Sequence, residues 1–404
     1  MSWRVISCLT SGRISGVDIF AFHLTEGLLR RGIDARILMT HPDKVEVDRL
    51  PLPQGVPVDT LPEEWRSKRR YRRRALREYL KSQAPCIYIP NYDYDHSPIS
   101  ATLPPDIYTI GIVHSDDPMH YDHVFQLGRF WNAVVAVSQK IADTTSALPR
   151  VEGRIHTIPY GIPCSHEISP REHGPDKPLQ ILYVGRLEQT QKRVLDMSRI
   201  LDRLKEKGVK AVLTMVGDGP ARGLLETEAR HHLESGMLRL LGTKPNEEMP
   251  AIYQAADVFL LTSAFEGLPV SLLEAMSFGC VPVVTHVRSG VSEVVIEGQT
   301  GCLVNVGDIE GIANRLAELE QDPARRLSLS RSAAEFIKAG EHSVDRMVER
   351  YLDLFQHITK ERSAGSFERP DPYFAELFVR NWQCRIRRNI RRLMDRAGYP
   401  SKPQ

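Results

Sequence analysis

Paired cysteines and long apolar runs are what this sequence lacks. Its six cysteines are scattered without a Cys-x-x-Cys pair. Their spacing argues against a disulfide scaffold or a cysteine zinc site, and it suits a reducing compartment. No apolar run approaches the length that spans a bilayer. The N-terminal stretch Trp3–Leu9 is too short and unflanked for a signal peptide, so we expect a cytoplasmic protein.

An excess of either charge is also missing. Lys and Arg number 53 against 51 Asp and Glu, which leaves a net charge of +2, so net charge indicates no particular partner. The full Gly-x-Gly-x-x-Gly fingerprint of dinucleotide-binding domains is absent as well. A chain of 404 residues is long for one domain, and two domains of ordinary size fit it better.

Strands alternate with helices in both halves of the chain. Strand Val5–Leu9, a helix ending at Arg31 for which Asp18 is the expected cap, and strand Ala35–Met39 form a βαβ unit, which predicts a parallel sheet. A second alternation begins with strand Leu179–Val184. The sequence therefore predicts two doubly wound α/β domains.

The domain boundaries follow from composition. Residues 1–164 form the predicted first domain, and residues 165–178, which are rich in Pro, His and charge, form the linker. Residues 179–369 form the second domain. A helical C-terminal segment, 370–404, completes the chain.

Two carboxylates flank the start of a short apolar helix in the second half. The buried-type strand Val258–Leu261 leads into a loop that carries Glu266, and the helix begins at Pro269, where a missing N–H costs nothing. Free N–H groups at a helix start favour anions. Glu274 lies within the helix and needs a partner, because an unpaired buried charge is costly. The pattern predicts a pocket for hydroxyl-rich and phosphate-bearing groups.

Glu266 and Glu274 have seven residues between them, within Glu-Gly-Leu-Pro…Leu-Leu-Glu-Ala-Met…Gly…Pro-Val-Val. This stretch resembles the Glu-x7-Glu motif of retaining GT-B glycosyltransferases, family 4 (glycosyl transferases group 1). The resemblance implies that Glu274 binds the donor ribose and that Glu266 meets the sugar hydroxyls, assisted by the N–H groups of Gly267 and Leu268. It also implies two Rossmann-like domains facing a cleft, with a C-terminal helix that returns to the first domain.

Arg186 and Lys192 are the expected diphosphate ligands. Gly185-Arg186 follows a strand, and Lys192 is placed at the start of the next helix. In open α/β sheets, ligands bind beyond the carboxyl ends of the strands. A guanidinium fork and a compact ammonium could offset the charge that gathers on a departing nucleoside diphosphate. The alternative is a solvated basic helix start.

Glycines supply two further candidates for donor binding. Gly16, in the loop after the first strand, would let backbone approach the diphosphate; the alternative is an ordinary βα turn. Gly217 begins Gly-Asp-Gly-Pro, which resembles the family's Gly-x-Gly-Pro turn near the nucleoside; the alternative is a tight turn alone.

His114 resembles the histidine that faces the donor sugar in this family, and it joins Glu266, Arg186 and Lys192 as a predicted catalytic residue. The alternative is a core histidine. The nearby His120, Asp122 and His123 have the residue types of a metal site. The resemblance implies no metal, however, because arginine, lysine and helix ends offset the charge of the diphosphate in GT-B enzymes. We therefore expect these three to line the acceptor side of the cleft.

Basic residues cluster in two places. Arg66–Arg77 is strongly basic, and Trp382–Leu393 has the spacing of a basic amphipathic helix. One interpretation of Arg66–Arg77 is adhesion to an anionic inner leaflet of the plasma membrane; the other is a solvated face. For Trp382–Leu393 we favour an apolar stripe packed on the first domain. Neither stretch carries a nucleic-acid reader motif.

These observations predict an enzyme that moves a sugar from a nucleotide sugar, such as a UDP- or GDP-sugar, to an acceptor hydroxyl with retention. It needs no other cofactor. The acceptor would be a glycan or a lipid-linked sugar in cell-surface polysaccharide or glycolipid assembly. Two alternatives stay open: a GT-B sugar-nucleotide epimerase, and a non-catalytic scaffold that binds glycan or membrane.

Overall fold

The computed structural model of the chain describes residues 4–10, 15–40, 55–62, 69–91, 96–149, 151–164 and 177–363. The chain divides into two compact units. Unit 1 comprises Met1–Pro159 together with Asp345–Gln404, and unit 2 comprises Tyr160–Val344. Each unit is built around its own parallel sheet.

Unit 1 contains a seven-stranded sheet of order β3-β2-β1-β4-β5-β6-β7, in which every pairing is parallel. Its strands are β1 (Arg4–Leu9), β2 (Asp34–Met39), β3 (Val58–Thr60), β4 (Cys86–Ile89), β5 (Ile107–Val113), β6 (Ala133–Ala136) and β7 (Ile155–Thr157). The helices between them are α1 (Gly16–Arg30), α2 (Arg69–Ser82), α3 (Pro118–Leu127) and α4 (Gln139–Ser146). Central strands such as β4 and β6 are buried throughout, as expected for a parallel sheet covered on both faces.

Unit 2 repeats this arrangement with six parallel strands in the order β10-β9-β8-β11-β12-β13. The strands are β8 (Leu179–Val184), β9 (Ala211–Val216), β10 (Leu238–Gly242), β11 (Val258–Leu261), β12 (Val281–Thr285) and β13 (Cys302–Val304). The helices are α5 (Asp196–Glu206), α6 (Arg222–Glu228), α7 (Arg230–Glu234), α8 (Met249–Gln254), α9 (Val270–Ser277), α10 (Val291–Val294), α11 (Ile309–Gln321) and α12 (Pro323–Ala339). Both sheets have the doubly wound strand order of Rossmann domains.

The chain returns to unit 1 earlier than the sequence boundaries placed it. Helix α13 (Val344–Ser363) lies almost wholly in unit 1, where Tyr351 contacts Phe20 with ring centroids 6.1 Å apart. Its buried apolar side chains recur every three or four residues: Met347, Val348, Tyr351, Leu354, Phe355 and Ile358. This stripe stabilises the helix against unit 1. The predicted returning segment, 370–404, lies outside the described residues, as does Trp382–Leu393.

Other sequence boundaries also differ from the structure. Unit 2 begins at Tyr160 rather than after residue 178, and residues 165–176 of the predicted linker are outside the described ranges. Helix α1 starts at Gly16 with Ser15 as its N-cap, so Asp18 lies three residues inside the cap. Helices α6 and α7 are separate, because the chain breaks at Ala229.

None of the helices in the described part of the chain combines the length and apolar character needed to cross a membrane.

Candidate active site

The candidate site of unit 2 lies where the strand order of its sheet reverses. Strands β8 and β11 are neighbours at the centre of the sheet, and the chain leaves them towards opposite edges. Ligands of open α/β sheets bind at such a point, beyond the carboxyl ends of the strands. The loop after β8 carries Arg186 and Lys192, and the loop after β11 carries Glu266.

Backbone contacts join these two loops. The N–H of Ala264 donates to the carbonyl of Gln191 at 2.7 Å, and the hydroxyl of Thr262 donates to the carbonyl of Lys192 at 2.8 Å. The backbone of Lys192 is therefore fixed against the loop that carries Glu266. Such preorganisation holds the charged groups in place before a ligand binds.

Lys192 and Glu266 form an ion pair in which Nζ lies 2.6 Å from Oε1. The hydroxyl of Ser263 donates to the same oxygen at 2.6 Å. Glu266 is only 5% exposed, and the Lys192 side chain is 16% exposed. A carboxylate this deep needs both partners, because a buried charge left unpaired is strongly destabilising.

Arg186 belongs to the same neighbourhood but faces solvent. Its side chain is 57% exposed and approaches Glu188 at 3.9 Å. The hydroxyl of the buried Tyr183 donates to the Arg186 carbonyl at 2.8 Å. Burial raises the pKa of Tyr183 well above its usual range, and the charge of Glu266 adds to this rise. Arg186 and Glu266 therefore both lie near the Tyr183 hydroxyl.

Lys192 precedes the helix rather than starting it. Helix α5 begins at Asp196, and Arg193 has a φ of 51°, a left-handed conformation that a helix cannot continue. The Arg193 guanidinium instead pairs with Asp196, with Nε 2.8 Å from Oδ2. The extra loop residues place Lys192 next to Glu266.

Glu274 occurs within α9, as predicted, and its partner is a tyrosine. The hydroxyl of Tyr253 donates to Oε2 of Glu274 at 2.7 Å. Three residues earlier, the Ser271 hydroxyl donates to the carbonyl of Val184, the last residue of β8, at 3.0 Å. Positions three apart share a helix face, so Glu274 lies one turn along α9 from the end of β8.

Burial raises the pKa of Glu274 from 4.5 to about 7, and the Tyr253 hydrogen bond partly opposes this rise. The folded state therefore binds this proton more tightly than the unfolded state. Between about pH 4.5 and 7 this residue's contribution to the free energy of unfolding falls as pH rises.

The variant Glu274→Gln should remove that pH dependence. We expect its free energy of unfolding, relative to the natural protein, to rise by roughly 1–3 kcal/mol between pH 5.5 and pH 8.5. Urea unfolding followed by circular dichroism at several pH values measures this difference. A difference that stays constant over the range would show that Glu274 does not titrate in this window.

Two backbone donors stand in front of α9. The sequence predicted that the N–H groups of Gly267 and Leu268 would assist donor binding. Both residues are buried. The Gly267 carbonyl accepts from the N–H of Gly290 at 2.9 Å, which fixes the peptide. The part assigned to these N–H groups in donor binding stays a prediction.

Gly217 shapes the loop that carries Arg186. A Cβ at this position would lie 2.0 Å from the Gly185 carbonyl oxygen, and its φ is +130°, so only glycine fits. The Gly185 N–H in turn bonds to the carbonyl of Val216 at 3.0 Å. The structure thus accounts for Gly217 by close backbone packing.

Gly16 lies in unit 1 as the exposed first residue of α1. The preceding Ser15 donates to Asp18 Oδ2 from its N–H at 2.9 Å and from its hydroxyl at 2.5 Å. Burial raises the pKa of Asp18 to about 6. The helix start is therefore fixed by its own capping contacts.

His114, also in unit 1, is buried directly after β5. Its N–H donates to Nδ1 of His120 at 3.3 Å, and its ring meets Phe20 edge-on at 5.6 Å. Burial lowers the pKa of His114 to about 3 and that of His123 to about 3, and it lowers that of His120 well below the usual range. A neutral His114 can position a hydroxyl, but it cannot act as a charged acid near pH 7.

Three contributors to the site carry no motif in the sequence. Ser263 and Tyr183 hold Glu266 and the Arg186 backbone, and Tyr253 holds Glu274. The contact between Tyr253 and Glu274 joins residues 21 positions apart, whereas Ser263 and Tyr183 each bond to a residue three positions further along the chain. Only the inward-facing position of Tyr183 in a strand pattern was available as a signal.

Both halves of the chain match family models of glycosyltransferases. Residues 165–336 match the family model described as glycosyl transferases group 1, and residues 14–166 match that described as Glycosyltransferase Family 4. The putative colanic acid biosynthesis glycosyltransferase WcaL of Salmonella typhimurium is 37% identical over 154 residues, which cover 36% of this chain and 37% of the relative. The chain thus spans about two fifths of the length of the curated relatives it matches.

Solved structures match over more of the chain. Staphylococcus aureus TarM, in a mutant complexed with fondaparinux, α-GlcNAc-glycerol and UDP, aligns with a TM-score of 0.74 at 12% identity over 88% of this chain and 100% of that one. Anabaena HepE, complexed with UDP-glucose, aligns with a TM-score of 0.72 at 15% identity over 88% and 99%. At these identities the likeness establishes the fold.

Proposed function

Because this chain belongs to the group 1 glycosyl transferases of the GT-B fold, we propose that it transfers a sugar from a nucleotide sugar to an acceptor hydroxyl with retention of configuration. One observation carries the proposal. At the strand-order reversal of unit 2, the loop after β8 carries the exposed guanidinium of Arg186 together with Lys192, and Lys192 forms a partly buried pair with Glu266 of the loop after β11. The site therefore presents cations for a diphosphate and a carboxylate for hydroxyls.

Arg186 and Lys192 differ in exposure and in shape, and both properties suit the binding of a diphosphate. Arg186 projects into solvent with only a 3.9 Å contact to Glu188, so its planar fork is available for phosphate oxygens. Lys192 is held by the loop contacts and brings a compact charge. Together they would stabilise the negative charge that grows on the departing diphosphate.

Oxygen acceptors and backbone donors would hold the rest of the donor. Glu266 Oε1 is committed to Lys192 and Ser263, which orients the carboxylate so that its other oxygen can accept from sugar hydroxyls. Glu274 would accept from the ribose hydroxyls. The N–H groups of Gly267 and Leu268 would donate to donor oxygens. Gly16 would let the start of α1 approach the diphosphate, and the neutral His114 would position a sugar hydroxyl.

Retention follows from attack on the same face of the sugar. In the proposed step the bond between the anomeric carbon and the diphosphate oxygen breaks, and the acceptor oxygen bonds to that carbon from the same side. The acceptor proton passes to the departing phosphate oxygen. Glu266 is engaged by Lys192 and Ser263 and is assigned to hydroxyl binding, so we propose this route rather than a covalent intermediate on the protein.

The stereochemistry can be tested before the acceptor is known, because water serves as a slow acceptor. Proton NMR would be recorded while the enzyme hydrolyses UDP-, GDP- and ADP-sugars. We expect the first sugar released, before mutarotation, to have the anomeric configuration of the donor. Release of the opposite anomer would contradict retention, and conversion into an epimeric nucleotide sugar would identify an epimerase instead.

Assembly of a cell-surface polysaccharide or glycolipid is the proposed biological role, with a glycan or lipid-linked sugar as acceptor. The colanic acid transferase WcaL, a relative by sequence over part of this chain, is named for such a pathway. TarM was crystallised with UDP and sugar ligands. We propose that the enzyme works in the cytoplasm and that UDP or GDP carries the sugar, without a metal or other cofactor in the transfer step.

Helix α2 supports contact with an anionic membrane. Residues 66–68 of the predicted basic stretch lie outside the described ranges. From Arg69 onward the helix buries Leu76 and Leu80 in the core of unit 1, while Arg70 and Arg74 are exposed. An exposed arginine near an anionic leaflet adds on the order of 1 kcal/mol of binding energy.

Charge reversal of the exposed arginines should weaken vesicle binding. We expect Arg70→Glu/Arg74→Glu to lower affinity for phosphatidylserine-containing vesicles by about 30-fold or more. The control Arg239→Glu/Arg331→Glu reverses two exposed arginines of unit 2 and should have little effect. Co-sedimentation measures the vesicle affinity of both double variants. Equal losses of affinity would show that net charge, and not the position of α2, accounts for the binding.

A further inference from the structure

Three side chains of metal-ligand type converge on the surface of unit 2, outside the transfer site. Asp202 lies in α5, and His231 and His232 are adjacent in α7. Nε2 of each histidine lies 2.9 Å from the same oxygen, Oδ1 of Asp202. The three candidate ligand atoms all lie within 4.8 Å of one another.

Two adjacent histidines of a regular helix do not direct their rings at the same carboxylate. Consecutive residues on a helix point about 100° apart and do not face each other. Here the chain breaks at Ala229, and α7 is a separate turn of five residues. The two imidazole rings are 3.8 Å apart between centroids, and both are directed at the one carboxylate.

The neighbours of the cluster hold it in place. His232 is 1% exposed, whereas His231 and Asp202 are half exposed, so the cluster is anchored on one side and open to solvent on the other. Arg203, the neighbour of Asp202 in α5, pairs with Glu206 and Glu310.

We propose that Asp202, His231 and His232 bind a divalent transition-metal ion of the zinc class, with water as the fourth ligand. Two imidazoles and one carboxylate suit Zn²⁺, whereas Mg²⁺ and Ca²⁺ prefer oxygen ligands alone. Tetrahedral ligands about 2.1 Å from zinc lie roughly 3.4 Å apart, so each ring need withdraw from Asp202 by only about half an ångström. The ion would tie α5 to α7 within unit 2.

Calorimetric titration of metal-free full-length protein with ZnCl₂ tests the proposal. We expect one zinc equivalent to be lost, or its affinity to fall at least about 100-fold, in His231→Ala and in Asp202→Asn. The half-exposed His231 and the isosteric Asp202→Asn change allow the variants to fold. His357→Ala is the matched control, because His357 is a half-exposed histidine of α13 whose Nε2 lies 3.2 Å from Glu361 of the same helix.

Further readouts separate this site from other zinc ligands and from transfer. Co²⁺ in place of zinc should give the intense visible absorption of a tetrahedral site in the natural protein and the control, but not in the two variants. MgCl₂ should not compete, and donor hydrolysis by His231→Ala should stay within about twofold of the natural rate. Absence of zinc binding, or equal affinity in His231→Ala, Asp202→Asn and the natural protein, would overturn the proposal whatever the outcome for transfer.

Discussion

Arg186→Ala should slow transfer by about 10²–10³-fold while leaving the fold intact. The Arg186 side chain is 57% exposed and its nearest carboxylate is 3.9 Å away, so its removal leaves no buried group unpaired. The melting temperature should therefore stay within about 2 °C of the natural value. The measurement is release of nucleoside diphosphate from the donor, with calorimetry to follow donor affinity.

Arg199→Ala is the matched control for this experiment. Arg199 lies in the same unit, its side chain is 67% exposed, and it too has a carboxylate, that of Asp196, at 3.9 Å. It should behave like the natural protein in both turnover and melting. Turnover by Arg186→Ala within a few-fold of the natural rate would show that Arg186 does not bind the diphosphate. An equal loss of turnover in Arg199→Ala would show that surface charge alone accounts for the effect.

Lys192→Ala should reduce stability as well as transfer, unlike Arg186→Ala. The change leaves the carboxylate of Glu266, which is 5% exposed, without its 2.6 Å cation. Breaking a buried pair in this way costs about 3–5 kcal/mol. Urea unfolding followed by circular dichroism should show this loss in the transition of unit 2, and nucleoside diphosphate release should fall by orders of magnitude.

The double variant Lys192→Ala/Glu266→Ala separates the two effects. Removing both charges should restore much of the lost stability, because no buried charge is left unpaired. It should not restore transfer, since the ammonium and the hydroxyl-binding carboxylate are both gone. A double variant as unstable as Lys192→Ala would contradict the pairing argument, and one that transfers sugar at the natural rate would contradict the assigned roles.

Local patterns predicted much of the fold of unit 2. Strands β8 and β11 have the predicted ends, because each is a short apolar run bounded by turn residues. Strands β3, β7 and β13 have three residues each, which is too short to show an alternation of apolar and polar side chains. The sequence also divided the chain at residue 370, whereas the chain re-enters unit 1 at Asp345, since an amphipathic stripe does not reveal which sheet will cover it.

Part of the candidate site could likewise be predicted from the sequence, and part could not. The positions of Lys192 and Glu266 at the carboxyl ends of neighbouring strands follow from the βα order, and the structure brings these two side chains together. Tyr253, which holds Glu274, lies 21 positions away in the chain, and no local period encodes such a contact. Ser263 lies three residues before Glu266 in the same loop, but a serine in a loop does not by itself predict which side chain it binds. Gly217 was expected near the nucleoside, and its packing against Gly185 became visible only with the backbone in place.

Calorimetric titration with UDP-, GDP- and ADP-sugars tests the central claim most directly, because it requires no knowledge of the acceptor. The account predicts that at least one donor binds the natural protein with a dissociation constant between about 1 μM and 1 mM. It also predicts that Arg186→Ala, whose fold is expected to be intact, loses most of this affinity while Arg199→Ala keeps it. Failure of every donor to bind, or equal affinity in Arg186→Ala and the natural protein, would contradict the assignment of this site.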